Sequence, residues 1–445
     1  MSRKPHRSAP KRRLQVVERA TDTLVPYANN ARHHPRAQIR KIADSIRHFG
    51  FTNPLLVDEA GMILCGHGRY EAALQLGMPT VPTILLSDLS EEDRRAYILA
   101  DNVIAEKAGW SKKMLATELQ GLVEIGYDLS FTGFDMIEID TALSFDTDEP
   151  VDDDVVELPG ESPAITRLGD LWTIGPNRLV CGDARDLATL ETLMGDERAE
   201  LCVLDPPYNV RISGNVSGLG KHKHGEFVMG SGEMSDAAFS TDLLRPAFRN
   251  IARFCQAGAI AFVFIDWRGA PQLLDAANGV FHEVKNLIIW GKTNAGMGTF
   301  YRSQHELIYA FKVSPGEHIN NFGLGQGGRH RSNLWIYPGA NVFRRGRDQD
   351  LEVHPTIKPK KMIADAILDC SRRGGIVLDS FAGSGTTILA AVMAGRRGYG
   401  VELDPHYCDV VIRRVQEASG YVARLENGMS FDAVARERSQ SGRGR

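Results

Sequence analysis

Residues 376–387 read IVLDSFAGSGTT, and residues 398–405 read GYGVELDP. The first stretch is an apolar run ending in an acid, then a glycine-rich turn, then a helix-forming segment. The second is another apolar run ending in acids. Gly383 and Gly385 let the backbone come close to a ligand at a helix N-terminus, where N–H groups converge. Glu402 follows Gly385 at close to the roughly 20-residue spacing of an acid that binds ribose hydroxyls. No lysine follows the glycines, which argues against a polyphosphate loop, and no third glycine completes a dinucleotide fingerprint. A nucleoside without a polyphosphate fits better, and S-adenosylmethionine is such a ligand.

Working outward, Leu201–Leu204, Ala259–Ile265, Val284–Trp290, Leu307–Phe311, Ile376–Leu378 and Gly398–Val401 are strand candidates, with helices over Lys360–Cys370 and Thr387–Ala394. Such alternation predicts an α/β fold with a parallel or mixed sheet and helices on both faces. Asp205-Pro206-Pro207-Tyr208 follows the first of these strands directly. In a doubly wound sheet, ligands bind beyond the carboxyl ends of the strands. The prolines fix φ and remove two donors, which leaves rigid carbonyls free to accept hydrogen bonds. A carboxylate, stiff carbonyls and a flat ring suit an amino group on a planar heterocycle.

The chain has 445 residues, is 43% hydrophobic and carries a net charge of −4, so general disorder and collagen-like classes are excluded and attraction to nucleic acid has to be local. No apolar run is long enough to span a bilayer and no secretory signal opens the chain, so no membrane partner and a cytoplasmic location are expected. The six cysteines show no metal spacing, and no metal is expected. The expected boundaries are a basic disordered arm (1–19), a small α+β domain (20–105), a helical extension (106–144), an acidic linker (145–164), the large α/β domain (165–425) and a disordered tail (426–445). Within the small domain, helices are expected over 38–49, 70–76 and 90–104, the last capped by Ser90.

Asp205-Pro206-Pro207-Tyr208 together with Phe381-Ala382-Gly383-Ser384-Gly385 resembles the amino-group DNA methyltransferases, in the permuted order of their β group. Cys181-Gly182-Asp183 and His354-Pro355-Thr356-Ile357-Lys358-Pro359 resemble further elements of that family. The resemblance implies a Rossmann-like, S-adenosylmethionine-dependent methyltransferase domain acting on double-stranded DNA. It implies that Tyr208 stacks on a flipped base while Asp205 and the Pro206 carbonyl accept hydrogen bonds from its amine, with Pro207 stiffening the turn. It assigns Asp183, Asp379, Phe381, Gly383, Gly385, Thr386, Glu402, Asp404, His354 and Lys358 to the cofactor. An Asp in the first position goes mostly with adenine N6 in this family. Cytosine N4 and a non-enzymatic scaffold are the alternatives. A homodimer and a cognate restriction enzyme are the partners such an enzyme can have.

Two more stretches bear on DNA. Arg329, Arg331, Arg344, Arg345 and Arg347, interleaved with Trp335, Tyr337 and Phe343, stand where the family carries its target-recognition segment. Residues 211–232, with Lys221, His222, Lys223 and His224, are expected to form a lid after Tyr208. Near the N-terminus, Gly66-His67-Gly68-Arg69 resembles the glycine–arginine box of ParB-like domains. That box implies either nucleotide binding or a packing element in a DNA-docking module, and with a single arginine the second is favoured.

Overall fold

The computed structural model describes residues 14–144, 163–209, 232–293, 301–322, 330–339 and 358–441. The chain divides into two units, residues 1–146 and 147–445. The expected basic arm lies almost wholly outside the described residues. The expected lid and all but the end of the acidic linker lie outside them too.

In the first unit, β1 (Val16–Ala20), β2 (Val25–Pro26), β3 (Leu55–Val57), β4 (Met62–Cys65) and β5 (Thr80–Leu85) form one sheet in the order β1-β5-β3-β4-β2. Helix α1 (Arg36–Phe49) buries Ile39, Ala43 and Ile46, the helical face read from the sequence. Gly66, at φ +98°, turns β4 into α2 (His67–Gln75). Ser90 caps α3 (Glu91–Glu106), its Oγ accepting the Asp93 N–H at 3.1 Å. Helices α4 (Lys112–Glu124) and α5 (Met136–Ser144) then pack around Leu119, Leu129 and Ile139.

The second unit is a ten-stranded sheet. Its strands are β6 (Leu171–Ile174), β7 (Asn177–Cys181), β8 (Ala199–Leu204), β9 (Cys255–Ile265), β10 (Glu283–Lys292), β11 (His305–Lys312), β12 (Leu334–Tyr337), β13 (Ile376–Asp379), β14 (Arg397–Glu402) and β15 (Ala423–Leu425). They lie in the order β12-β10-β11-β9-β8-β13-β14-β7-β6-β15. The run β9-β8-β13-β14-β7 is parallel throughout. All its carboxyl ends therefore open on one edge. Every residue of β8 is buried, as a strand covered on both faces demands.

Helices cover both faces. One face carries α6 (Leu187–Met194), α7 (Asp236–Ala238) running through the π-helical turn Phe239–Leu244 into α8 (Arg245–Arg253), and α9 (Ala270–Ala277), with Leu190, Phe248 and Leu273 in a common core. The other carries α10 (Lys360–Cys370), α11 (Thr386–Met393) and α12 (Pro405–Ser419). Gly398 brings β14 against α11: a Cβ there would stand 2.8 Å from the Ile388 Cα. This is the α/β fold that the alternating pattern implies.

The tail expectation is corrected. Residues 431–441 form helix α13 (Phe431–Ser441), with Phe431 and Val434 buried and Phe431 packed edge-on against Trp172. Arg438 is ion-paired with Asp170. Two apolar side chains at i and i+3 anchor it, a short signal among the Arg, Ser and Gly of the segment.

The start of the unit is pinned by Asp409 of α12, whose buried carboxylate accepts the Ile165 and Thr166 N–H groups at 2.7 and 2.9 Å. Replacing it by leucine strands both donors. Asp409→Leu is expected to lower the unfolding free energy by about 2–3 kcal/mol, read from the urea midpoint.

Candidate active site

Two strand ends build the site. The register pairs Leu378 of β13 with Cys202 of β8, so the chain leaves β13 at Asp379 and β8 at Asp205 side by side. The next strand, β14, ends at Glu402 and pairs in turn with β7, where the Gly182 N–H reaches the Glu402 carbonyl at 2.9 Å. Asp205, Asp379, Glu402 and Asp183 thus follow four adjacent strands.

Asp205 sits in a compact ionic cluster. One carboxylate oxygen accepts the Tyr208 hydroxyl at 2.8 Å, and the other takes the Lys358 ammonium at 2.8 Å. Lys358 Nζ also lies 3.4 Å from Glu306 Oε2. Glu306, at the start of β11, is 3.1 Å from the Tyr208 hydroxyl and 2.6 Å from Lys292 Nζ. The single Tyr208 proton serves one carboxylate at a time. Around the Lys358 ammonium stand the rings of Tyr208, Phe264 and Trp290, with centroids at 5.3, 5.4 and 6.0 Å.

The charges are mutually dependent. Burial works against the Lys358 ammonium, but Asp205 and Glu306 outweigh it and hold its pKa above the ordinary lysine value. Burial also pushes up Glu306, yet Lys358 and Lys292 bring it below the usual range. Asp205 stays above its usual range because burial, helped by Glu306, outweighs the pull of Lys358. Lys358 was assigned to the cofactor from the sequence; its ammonium stands instead at the Asp205 carboxylate. Glu306 and Lys292 carry no motif and were not singled out.

The neighbouring loop is a cradle. Gly383 (φ +50°) and Gly385 (φ +84°) both need the left-handed region. A Cβ on Gly383 would find no atom nearer than 4.0 Å, so the loop faces open space there. Glu402 holds the loop, its two oxygens accepting the Gly383 N–H at 2.7 Å and the Asp404 N–H at 2.8 Å. Asp379 accepts the Phe381 N–H at 2.9 Å. Burial, more than any other influence, pushes Asp379 and Glu402 up to about 7. The Ser380 hydroxyl is buried without a hydrogen-bond partner. Thr386 opens α11 and is buried. Asp404 caps α12 through the His406 N–H at 2.8 Å. Asp183 is engaged by Arg185, whose Nη2 lies 2.7 Å away. His354 lies outside the described residues.

Just past Tyr208, Asn209 holds φ +55°. Its side chain takes the Gly232 and Met234 N–H groups at 3.1 and 3.3 Å and gives a bond to the Met234 carbonyl at 2.8 Å.

The expected arginine stretch fares differently. Arg331 is committed internally, with Nε 2.8 Å from Asp369, Nη1 3.0 Å from the Tyr337 hydroxyl, and the guanidinium 4.6 Å over Trp335. It is not presented to DNA. Its buried ion pair with Asp369 locks β12, whose Trp335 is itself buried. Arg329, Arg344, Arg345 and Arg347 lie outside the described residues.

In the first unit the Gly66–Arg69 box is a strand–turn–helix joint. The Tyr27 N–H donates to His67 Nε2 at 3.2 Å. A Cβ on Gly68 would meet the His34 ring at 3.2 Å. Arg69 folds back toward Gly66, and its Nε is buried without a partner. No described helix is long and apolar enough to cross a membrane.

Residues 199–413 match the model of a DNA methylase family, residues 8–103 that of the ParB N-terminal domain, and residues 113–168 that of the ParB-methyltransferase HTH domain. The chain joins a ParB-like domain to a DNA methylase domain of the N6/N4 family. A ParB-like nuclease domain-containing protein of Escherichia coli K12, YnaK, is 47% identical over 83 residues, covering 19% of this chain and 95% of that one. The DNA adenine methyltransferase YhdJ of the same organism is 38% identical over 91 residues, 20% of this chain and 30% of its own. The type II methyltransferase M2.MboI of Moraxella bovis is 28% identical over 142 residues, 30% of this chain and 50% of its own. The chain therefore spans half or less of the two methyltransferases it matches.

S-adenosylmethionine is the methyl donor of the methylase family. The residues present fit it: an open glycine cradle, an orphaned buried hydroxyl at Ser380, and acids able to take hydroxyl protons and face a cation. Phe381, Gly383, Asp379 and Glu402 could hold it.

The cluster makes a direct prediction. Lys358→Met leaves two carboxylates without their shared counter-ion, so the Asp205 pKa rises further. The acid limb of the rate–pH profile for methyl transfer should move to higher pH, and the unfolding free energy should fall by about 3 kcal/mol. A limb that stays in place would show that Lys358 does not set the ionisation of Asp205.

Proposed function

We propose that this chain methylates N6 of adenine in double-stranded DNA. The observation that carries the reading is the placement of Asp205, with its Lys358 counter-ion, one strand away from the glycine cradle. S-adenosylmethionine bound in that cradle supplies a methyl group on a positively charged sulfur. Asp205 accepts a hydrogen bond from the adenine amine, and the Pro206 carbonyl accepts the second. Together they localise the nitrogen lone pair that the ring otherwise draws in, and aim it at the methyl. Positioning and fixed charge supply the acceleration. Tyr208 stacks on the extruded base, an interaction worth roughly 1–3 kcal/mol, comparable to the cost of unstacking.

Two observations favour adenine over cytosine N4. The motif opens with Asp205, and one relative of the domain is named a DNA adenine methyltransferase. The ParB-like domain and the helices matched to the HTH model are proposed as a docking module for the same DNA.

Incubation with unmethylated DNA and isotope-labelled S-adenosylmethionine, followed by nucleoside mass spectrometry, should place the label in N6-methyladenine. Label in N4-methylcytosine would overturn the choice of base. Asp205→Ala is expected to abolish transfer with cofactor affinity within about twofold of wild type, since only the amine contact is lost.

Cofactor binding should itself depend on pH. Glu402 must be ionised to accept ribose hydroxyls, and its pKa is about 7. Affinity by calorimetry should rise roughly tenfold from pH 6 to pH 8, and then level. Glu402→Gln should weaken binding at pH 8 and remove much of that rise.

A further inference from the structure

The catalytic edge continues past the ionic cluster into an exposed rim. Strands β9 and β11 run antiparallel with Leu307 opposite Ile265. One step further along, Glu306 comes level with Asp266, and one more brings His305 level with Trp267. At this end β9 runs into the turn Asp266–Gly269, closed by the Gly269 N–H on the Asp266 carbonyl at 3.0 Å. Trp267 stands at its corner with 54% of its surface exposed. The Arg268 guanidinium lies 5.0 Å over the Trp267 ring, and its own N–H binds Asp266 Oδ1 at 3.0 Å. The chain enters β11 through Tyr301 and Arg302, both exposed, as is His305.

The rim adjoins the chemistry. His305 precedes Glu306, which holds the Tyr208 hydroxyl. Trp267 lies three residues beyond Phe264, whose ring faces Lys358. Aromatic rings and cations with little covering are thus gathered beside the base-accepting end of β8. Half-exposed tryptophan is costly in water unless a partner covers it. A polyanion with flat faces satisfies both halves of this composition, the cations taking phosphates and the ring taking a base face.

We propose that Trp267, Arg302 and His305, steadied by Arg268, form the surface that grips DNA beside the extruded base, with Trp267 packed against the base or the gap next to it. This rests on the reading of the chain as a DNA methyltransferase and extends it to residues outside the family motifs. It also supplies described, exposed cations on an edge where Arg331 is spent on Asp369.

The full chain should be tested as wild type, Trp267→Ala, Trp267→Phe and Arg302→Ala, with unmethylated duplex as probe. Anisotropy titrations over a salt series give affinity and slope, steady-state kinetics separate KM for DNA from kcat, and calorimetry reports S-adenosylmethionine binding. Trp267→Ala should raise the DNA dissociation constant and KM roughly tenfold, and Trp267→Phe should recover most of the loss. Arg302→Ala should reduce the salt slope by about one. Cofactor affinity should be unchanged in all. DNA affinity and slope equal to wild type in both alanine variants would overturn the proposal. So would loss of a dimer in Trp267→Ala with DNA affinity intact, which gives the rim to a second copy. Wild-type protein that binds duplex through Trp267 but transfers no methyl would instead overturn the enzymatic reading and leave the surface standing.

Discussion

A single buried ammonium ties the site together. Lys358 stands between Asp205 and Glu306, and those two carboxylates could not both ionise there without it. Tyr208 depends on them in turn, because its hydroxyl is steered by whichever carboxylate accepts it. The ring that is to meet a base and the acid that is to meet its amine are therefore set by one charge. That charge arrives from residue 358, just ahead of α10, while the acid arrives from the end of β8. Neither strand nor helix alone would fix the geometry.

The parallel core makes this convergence possible. Five strands running one way deliver their C-terminal residues to a common edge, so groups far apart in sequence become neighbours without any long excursion of backbone. The permuted order costs nothing in this architecture. What matters is that β8 and β13 are adjacent, not which is made first. The antiparallel β9 and β11 then add Glu306 and the exposed rim to the same edge.

Much of this was legible in the sequence. The glycine turn at 381–385, the Asp205–Tyr208 element and the Ser90 cap each announce themselves by a local pattern, and each is where that pattern puts it. What escaped has a common physical cause. Glu306 opens a strand, HELIYAFK, whose residues otherwise read as packing, and its partners lie far away in the chain. Lys358 sits in a segment that suggested the cofactor; only the folded chain shows which carboxylate its long side chain reaches. Arg331 belongs to a run of cations, and composition cannot tell an arginine that faces solvent from one that has found Asp369. Helix α13 hides because two buried apolar residues suffice to dock it on Trp172.

Asn209 carries one more consequence. Its side chain binds the backbone of Gly232 and Met234, so the chain departs from and returns to the same point beside Tyr208. The ends of residues 210–231 are fastened by groups that belong to neither side of that stretch alone. The entropy of closing such an excursion grows only slowly with its length. Insertions or deletions between these two anchors can therefore be absorbed without moving the catalytic turn. Evolution, or an engineer, has here a socket in which one recognition element can be exchanged for another while the chemistry next to it stays put.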